Sequence, residues 1–301
     1  MEPLIILLLV IYICLFIVGF TGNFVMILVT IQSKSLRSVC NMLICATCFF
    51  DLLLFTDILA FVLSQFVPIK QELCFYLNIP ADFGAFASNI AVFVVGIDRL
   101  IALAWPVRYK RIELEKGKYV CTILSLPCVY ALVLLYLAWI GEHPDKDVIC
   151  LLPVSLNRTY ETFAVTSLFV NLTVPFIYYA IYKKIKGSHM RSSMKSVYRS
   201  LTMAVLICVG GWMTTDLIGS LTVAIPMDPY VANMIQLYVG SFIFSASACN
   251  VFVYYRYSKD YRRSIRSALC RGSVGTYRDN VSTSRNVPTS RLPEIITSFA
   301  T

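Results

Sequence analysis

The stretch IPADFGAFASNIAVFVVGIDRLIALAW, residues 79–105, decides the fold. As a helix it is long enough to cross the roughly 30 Å hydrocarbon core of a bilayer, which needs about 20 residues. Its apolar run is continuous and lacks the two-residue alternation of a membrane β-strand. Its adjacent charges, Asp98 and Arg99, lie near one end, where an interface accepts them. Working back, Cys74 precedes Arg99 by 25 residues. At 1.5 Å per residue that is roughly 37 Å, one bilayer with part of its headgroups. Cys74 therefore reads to one face of the membrane and Asp98-Arg99 to the other.

Six further apolar runs flank this one, near 4–31, 39–67, 119–140, 162–185, 201–225 and 230–255. The expectation is an all-α membrane protein, a seven-transmembrane-helix bundle. Composition agrees, with 58% hydrophobic and 14% charged residues over 301 positions and a mean hydropathy of +0.72. A soluble domain carries about a quarter charged residues. Only Met1, Glu2 and Pro3 precede the first run, and Lys34 and Arg37 follow it. It reads as a retained span rather than a cleaved signal. Loops are short and no inverted repeat of broken segments is visible, which argues against a secondary transporter.

Basic residues set the expected orientation. Twenty-three of the 26 Lys and Arg follow odd-numbered spans one, three, five and seven, while Lys70, Lys146 and Arg158 lie on the opposite side. By the positive-inside rule the N-terminus is outside. The net charge of +9 then reflects topology and anionic inner-leaflet lipid rather than nucleic acid. Residues 1–255 form the bundle. Residues 256–269 read as a short interfacial amphipathic helix, with Tyr261, Ile265, Ala268 and Leu269 on one face and Arg262, Arg263 and Arg266 on the other. Cys270 ends it, a candidate for lipidation by a palmitoyl chain. Residues 270–301 read as a disordered cytoplasmic tail.

Three acids stand where lipid would surround them: Asp51, Asp57 and Asp216. Each costs about 2.5–3.5 kcal/mol to insert, and no Lys or Arg lies at their depth. Each is either protonated or faces an internal polar cavity. Asn23, Ser88, Asn89 and Asn250 can partner them. Whether Asp51, Ser88 and Asn250 converge depends on spans two, three and seven meeting at one depth, which periodicity does not decide. Cys74 and Cys150 are the two cysteines on the outer side, and in an oxidising compartment they pair. Of the sequons, Asn157 is the outer one and a glycosylation candidate, whereas Asn171 and Asn280 fall in membrane and cytoplasm. His143 and His189 both read as solvent-facing. No HExxH, GxSxG or Walker pattern occurs, so an enzyme is not expected.

These residues together resemble a rhodopsin-class G protein-coupled receptor, most closely the nematode Srsx chemoreceptor family, over roughly residues 15–270. The resemblance is carried by Gly22-Asn23, by Asp51 before Leu52-Leu53, and by Asp98-Arg99-Leu100 followed by Trp105-Pro106-Val107-Arg108-Tyr109. Pro175, Trp212 and Asn250-Val251-Phe252-Val253-Tyr254 stand at matching places. GNFVMILVT, LRSVCNMLIC and GIDRLIALAWPVRY point to Srsx in particular. The departures are Leu100 for the tyrosine of DRY, Val251 for the proline of NPxxY, Thr214 for the proline of helix six, and Met194 where an acid would pair with Arg99.

The resemblance implies a chemosensory receptor for a small molecule that signals to a heterotrimeric G protein at the plasma membrane, with the cilia of chemosensory neurons as the implied location. A neuropeptide receptor is the alternative within the same class, and a transporter or channel the alternative outside it. The implied ligand pocket includes Asp82, Ala85, Trp212, Asp216 and Gly240. Asp98, Arg99 and Tyr254 would serve G protein coupling, with Asp98 restraining Arg99 and Tyr254 swinging inward. Asp51, Ser88, Ser247 and Asn250 match a family sodium site in which Ala246 replaces an asparagine. No other cofactor is implied. Helix seven has no lysine, which excludes a retinal Schiff base. Ala81 occupies the usual amine-anchoring position, with Asp82 one step round the helix, so a monoamine ligand is not expected.

Overall fold

The structure is a computed structural model that describes residues 3–141, 144–186 and 192–271. Among the described residues, seven helical spans, one of them made of two consecutive helices, are long and apolar enough to cross a membrane. In chain order the helices are α1 (Pro3–Gln32), α2 (Val39–Leu54), α3 (Thr56–Ser64), α4 (Gln71–Ala104), α5 (Pro106–Leu114), α6 (Lys116–Trp139), α7 (Leu152–Leu156), α8 (Thr159–Lys186), α9 (Ser192–Ala224), α10 (Pro229–Tyr257) and α11 (Lys259–Arg271). Strands β1 (Ile69–Lys70) and β2 (Asp147–Val148) pair antiparallel. Residues 272–301 lie outside the described residues, with the expectation of a disordered tail, and so do Glu142, His143 and His189.

The second span is two helices, α2 and α3, broken at Phe55. Thr56 turns its hydroxyl back onto the Leu53 carbonyl at 2.6 Å, a local bond that competes with the helical ladder and bends it. The third span starts at Gln71, earlier than its apolar run, because the polar side chains of Gln71 and Asn78 are buried with partners. Pro80 sits within α4 without ending it.

The central element is α4, which packs against α2, α6 and α8, while α1 closes the ring between α2 and α10. Between apolar helices in lipid, association depends on close packing. Gly84 supplies it where α4 meets α2. A β-carbon there would lie 2.6 Å from the Phe50 carbonyl oxygen and 2.5 Å from the Leu54 nitrogen. Gly211 does the same for α9 on α10, beside the Phe242 carbonyl. Large apolar side chains such as Phe169 and Phe176 (69% and 73% exposed) cover the outside, as a lipid-facing surface requires.

Among the described residues two large apolar cores result, with a small third cluster of Ala60, Ile69, Cys74 and Cys150. One surrounds Tyr12, Phe55, Phe61, Phe86 and Trp212 near the disulfide. The other surrounds Met26, Leu43, Tyr178, Tyr254 and Tyr261 towards Arg99. Buried polar side chains, including Asp51 and Asn250, lie between them.

Candidate functional site

At the disulfide end, the segment joining α6 to α8 is fastened across the bundle. Cys74 and Cys150 are bonded, with their Cα atoms 5.4 Å apart. Beside them Ile69 pairs with Val148, and the Gln71 amide N–H donates to the Lys146 carbonyl at 3.1 Å. The side-chain amide of Gln71 donates to the Val154 carbonyl at 3.2 Å. At the exposed rim, the hydrogen bond that the Lys70 ammonium donates to Asp145 holds its pKa above the usual value, a surface pair of little weight for stability.

Two buried acids hold α7 from below. Asp82 accepts from the Ser155 hydroxyl with both oxygens, each at 3.1 Å. Asp57 accepts from the Asn78 amide at 3.0 Å and from the Leu152 backbone N–H. Removing a partner from such a buried group costs about 1–3 kcal/mol, so this segment is pinned by chemistry as well as by the disulfide.

Beneath α7 lies a cavity of about 60 Å³, room for a few waters. Its walls include Tyr12, Asp57, Tyr160, Trp212, Asp216 and Gly240. Trp212 meets Phe163 edge-on, with ring centres 5.9 Å apart. Asp216 accepts from Ser167 at 2.5 Å and from Asn171 at 3.3 Å, both on its Oδ2. Asn89 donates in turn to Ser167 at 2.8 Å. The Asp216 Oδ1 takes no hydrogen bond among the described residues, and no basic side chain lines the cavity.

Of the five residues expected in the pocket, Trp212, Asp216 and Gly240 line it. Asp82 and Ala85 do not: both are fully buried in α4, and Asp82 is committed to Ser155. The resemblance implied both as pocket residues, but here Ser155 of α7 takes up Asp82 and Ala85 is enclosed in the apolar core.

Midway along the bundle, Asp51, Ser88 and Asn250 do converge. Ser88 donates to Asp51 Oδ1 at 2.6 Å, Asn250 donates to Oδ2 at 3.0 Å, and Ser247 adds a third bond. A sodium ion needs oxygen lone pairs turned towards it. Here Asn250 presents its NH₂ group to Asp51 while its oxygen receives the Cys208 thiol at 3.6 Å. The donors occupy both carboxylate oxygens, so these residues do not fit a sodium ion in this arrangement.

At the opposite end, Asp98 and Arg99 are buried and paired. The Arg99 Nε donates to Asp98 Oδ2 at 2.9 Å, and its Nη2 donates both to Asp98 and, at 2.5 Å, to the Tyr109 hydroxyl. Tyr109 lies on α5, and its hydroxyl donates to Asp98 Oδ1 at 3.1 Å. The guanidinium also stands over the Tyr109 ring, 5.5 Å from its centre. Burial raises the Tyr109 pKa above its ordinary value. A cavity of about 690 Å³ opens beside this cluster, walled by Asn41, Arg99, Tyr109, Glu113, Lys184 and Asp260 among others. Tyr254 is not in it. Its ring packs on Tyr261 of α11, 5.3 Å between centres, and it faces a separate gap of about 30 Å³ with Cys48, Cys208 and Asn250.

Comparison with known proteins gives this geometry a family. The profile of the family described as "Serpentine type 7TM GPCR chemoreceptor Srsx" matches residues 16–269. The chain belongs to this family. As an Srsx receptor it is a member of a non-catalytic, signalling class. Among the described residues no cluster of His, Cys, Asp or Glu is arranged to hold a metal. Curated relatives of this Srsx receptor include the human neuropeptides B/W receptor type 2, 24% identical over 84% of this chain and 82% of the relative. The bovine somatostatin receptor type 5 is 25% identical over 87% and 75%. The dog alpha-1A adrenergic receptor is 29% identical over 60% and 64%.

Three parts of the site were not foreseen in the sequence: Tyr109 as the partner of the Asp98–Arg99 pair, α7 as the cover of the cavity, and the Asn89–Ser167–Asn171–Asp216 chain. The last had a signal. Ser167 and Asn171 lie four residues apart in an apolar span, hence on one helix face. Asn157 sits at the turn from α7 into α8 with a φ of 49°. Cys270 falls in the last turn of α11, and its side chain lies outside the described residues, as does that of Met194.

Proposed function

We propose that this Srsx receptor senses a small extracellular molecule bearing a compact positive charge, and that its Arg99 end activates a heterotrimeric G protein. The observation that carries the ligand class is Asp216: a buried carboxylate on the cavity wall, with one oxygen lacking a protein donor and no base nearby. An ammonium group supplies the missing donor at Asp216 of α9, in place of the α4 anchor that Ala81 leaves out and against the expectation drawn from it, and the aromatic faces of Trp212 and Tyr160 suit a cation. Orientation follows from the basic residues, with the disulfide end outside at the plasma membrane and the Arg99 end in the cytoplasm. Ligand binding then shifts the bundle between two packings. Cilia of chemosensory neurons are the location that suits a chemoreceptor.

The test is a screen of small amines against their uncharged isosteres in cells expressing the receptor, read as G protein activation. Amines should activate and isosteres should not, and Asp216→Asn should abolish the difference. Activation by isosteres alone would overturn the charge requirement. A C-terminal tag should stain only after permeabilisation, and staining of intact cells would overturn the orientation.

A second reading is a peptide ligand. The relatives named as neuropeptides B/W and somatostatin receptors favour it. In this reading one basic side chain of the peptide enters the cavity, and the remainder rests on the α6–α8 segment.

A further inference from the structure

The strongest unexplained feature lies where α1 meets α11. A crevice of about 210 Å³ separates the end of α1 and the turn after it from the exposed side of α11. Its walls carry the hydroxyls of Ser33, Ser35, Ser264 and Ser267, the amide of Gln32 and the guanidinium of Arg263, and among the described residues no acid. The hydroxyls form a connected set, with Ser264 donating to Ser33 at 3.1 Å and Ser33 lying 2.9 Å from Ser35.

The arginines of α11 divide in a way that favours this crevice. Arg262 donates to the Tyr255 and Arg256 carbonyls, and Arg266 to the Tyr255 hydroxyl. Arg263 makes no hydrogen bond or ion pair among the described residues and turns to the serine side. Lys34 and Arg37 follow on the adjacent turn, so the local charge is positive. A guanidinium recognises phosphate oxygens in its own plane. Serine hydroxyls and a glutamine amide both donate and accept, which suits a hydroxylated headgroup.

The bilayer supplies the other half of the argument. Gln32 belongs to a stripe of α1 in which Leu28 and Phe24 follow at four-residue steps, and both are exposed (38% and 48%). An acyl chain has an apolar track leading directly away from the crevice. We propose that this crevice binds a phosphoinositide-type lipid, an anionic phospholipid with a phosphorylated polyol headgroup, with Arg263 on the phosphate and the serines on the ring hydroxyls. The proposal takes from the orientation above that this end faces the cytoplasm. It does not depend on the ligand of the outer cavity.

The experiment is native mass spectrometry of the full chain released from nanodiscs doped with phosphatidylinositol 4-phosphate, phosphatidylserine or phosphatidylcholine. Retention should fall in that order. Arg263→Gln should lower retention of the phosphoinositide about tenfold, the size expected for losing one charged hydrogen bond. Ser267→Ala should lower it a few-fold. Arg266→Gln, on the other side of α11, should leave it unchanged. Both changed serine and arginine positions are exposed, and equal melting temperatures will confirm folding. Equal retention of all three lipids, or retention untouched by Arg263→Gln, overturns the proposal. Equal competition by soluble inositol 1,4-bisphosphate would make this a phosphate site without a lipid requirement, and so overturn the lipid commitment. Nanodiscs present both leaflets, so a wrong orientation would not produce these failures.

Discussion

The two ends of the bundle use buried charge in opposite ways. At the disulfide end, Asp57 and Asp82 reach across to α7 and fasten a distant segment, with a covalent bond beside them. At the other end, Asp98 and Arg99 are neighbours in sequence, and their added partner, Tyr109, comes from the very next helix. The first arrangement joins parts of the chain 73 residues apart through Asp82 and 76 through the cysteines. The hydrogen bonds of the Asp98–Arg99–Tyr109 cluster join residues no more than 11 apart, with Tyr119 of α6 also close enough to feel Asp98. A charge bonded chiefly to its near neighbours can change partners with little disturbance elsewhere. This contrast, a fixed lid opposite a local latch, suits the proposal that the ligand enters at one end and a G protein engages the other.

Breaking the lid should have the largest effect. A native disulfide contributes about 2–5 kcal/mol, so Cys74→Ser should lower surface level about tenfold, measured by labelling intact cells. Cys150→Ser should match it and the double variant should be no worse, because the pair acts as one unit. Additive losses would mean the two thiols act independently.

Opening the latch should come next. Tyr109→Phe removes a hydrogen bond to a charged group, about 1.5–3 kcal/mol. Basal G protein activation should rise several-fold, with surface level unchanged. A fall in basal activation would recast Tyr109 as a contact for the G protein rather than a restraint. Ser155→Ala should do less. It strips Asp82 of its donor and loosens α7, shifting ligand potency a few-fold with little effect on basal activity. Arg108→Lys, beside the latch but outside it, should be silent in both assays.

The contrast between the ends also explains what the sequence revealed. Long apolar runs, the distance from Cys74 to Arg99 and the pairing of Cys74 with Cys150 rest on length, periodicity and compartment, all of which one sequence displays. The meeting of Asp51, Ser88 and Asn250 was legible only as a condition, since it requires three helices at one depth. The failure of Asp82 and Ala85 to reach the cavity was not legible. For Asp82 it depends on α7, a five-residue helix with no periodic signal, settling over it. Tyr109 was read only as part of a resemblance motif, because nothing in its spacing shows that α5 folds back under Arg99. The short pairing of β1 with β2 was hidden for the same reason: two residues per strand carry no alternation to detect.

The account turns on Arg99. A basic residue at that end of α4 could serve only as an interface anchor, and a lysine would anchor equally well by extending its ammonium to the headgroups. A latch and coupling residue needs the planar guanidinium, which holds Asp98 and Tyr109 together and stacks over the Tyr109 ring in ways an ammonium does not reproduce. The decisive measurement is ligand-stimulated G protein activation by Arg99→Lys and wild type at matched surface level. The account predicts clearly reduced activation in Arg99→Lys, with ligand affinity retained and a further loss in Arg99→Ala. Equal activation by Arg99→Lys and wild type would contradict it.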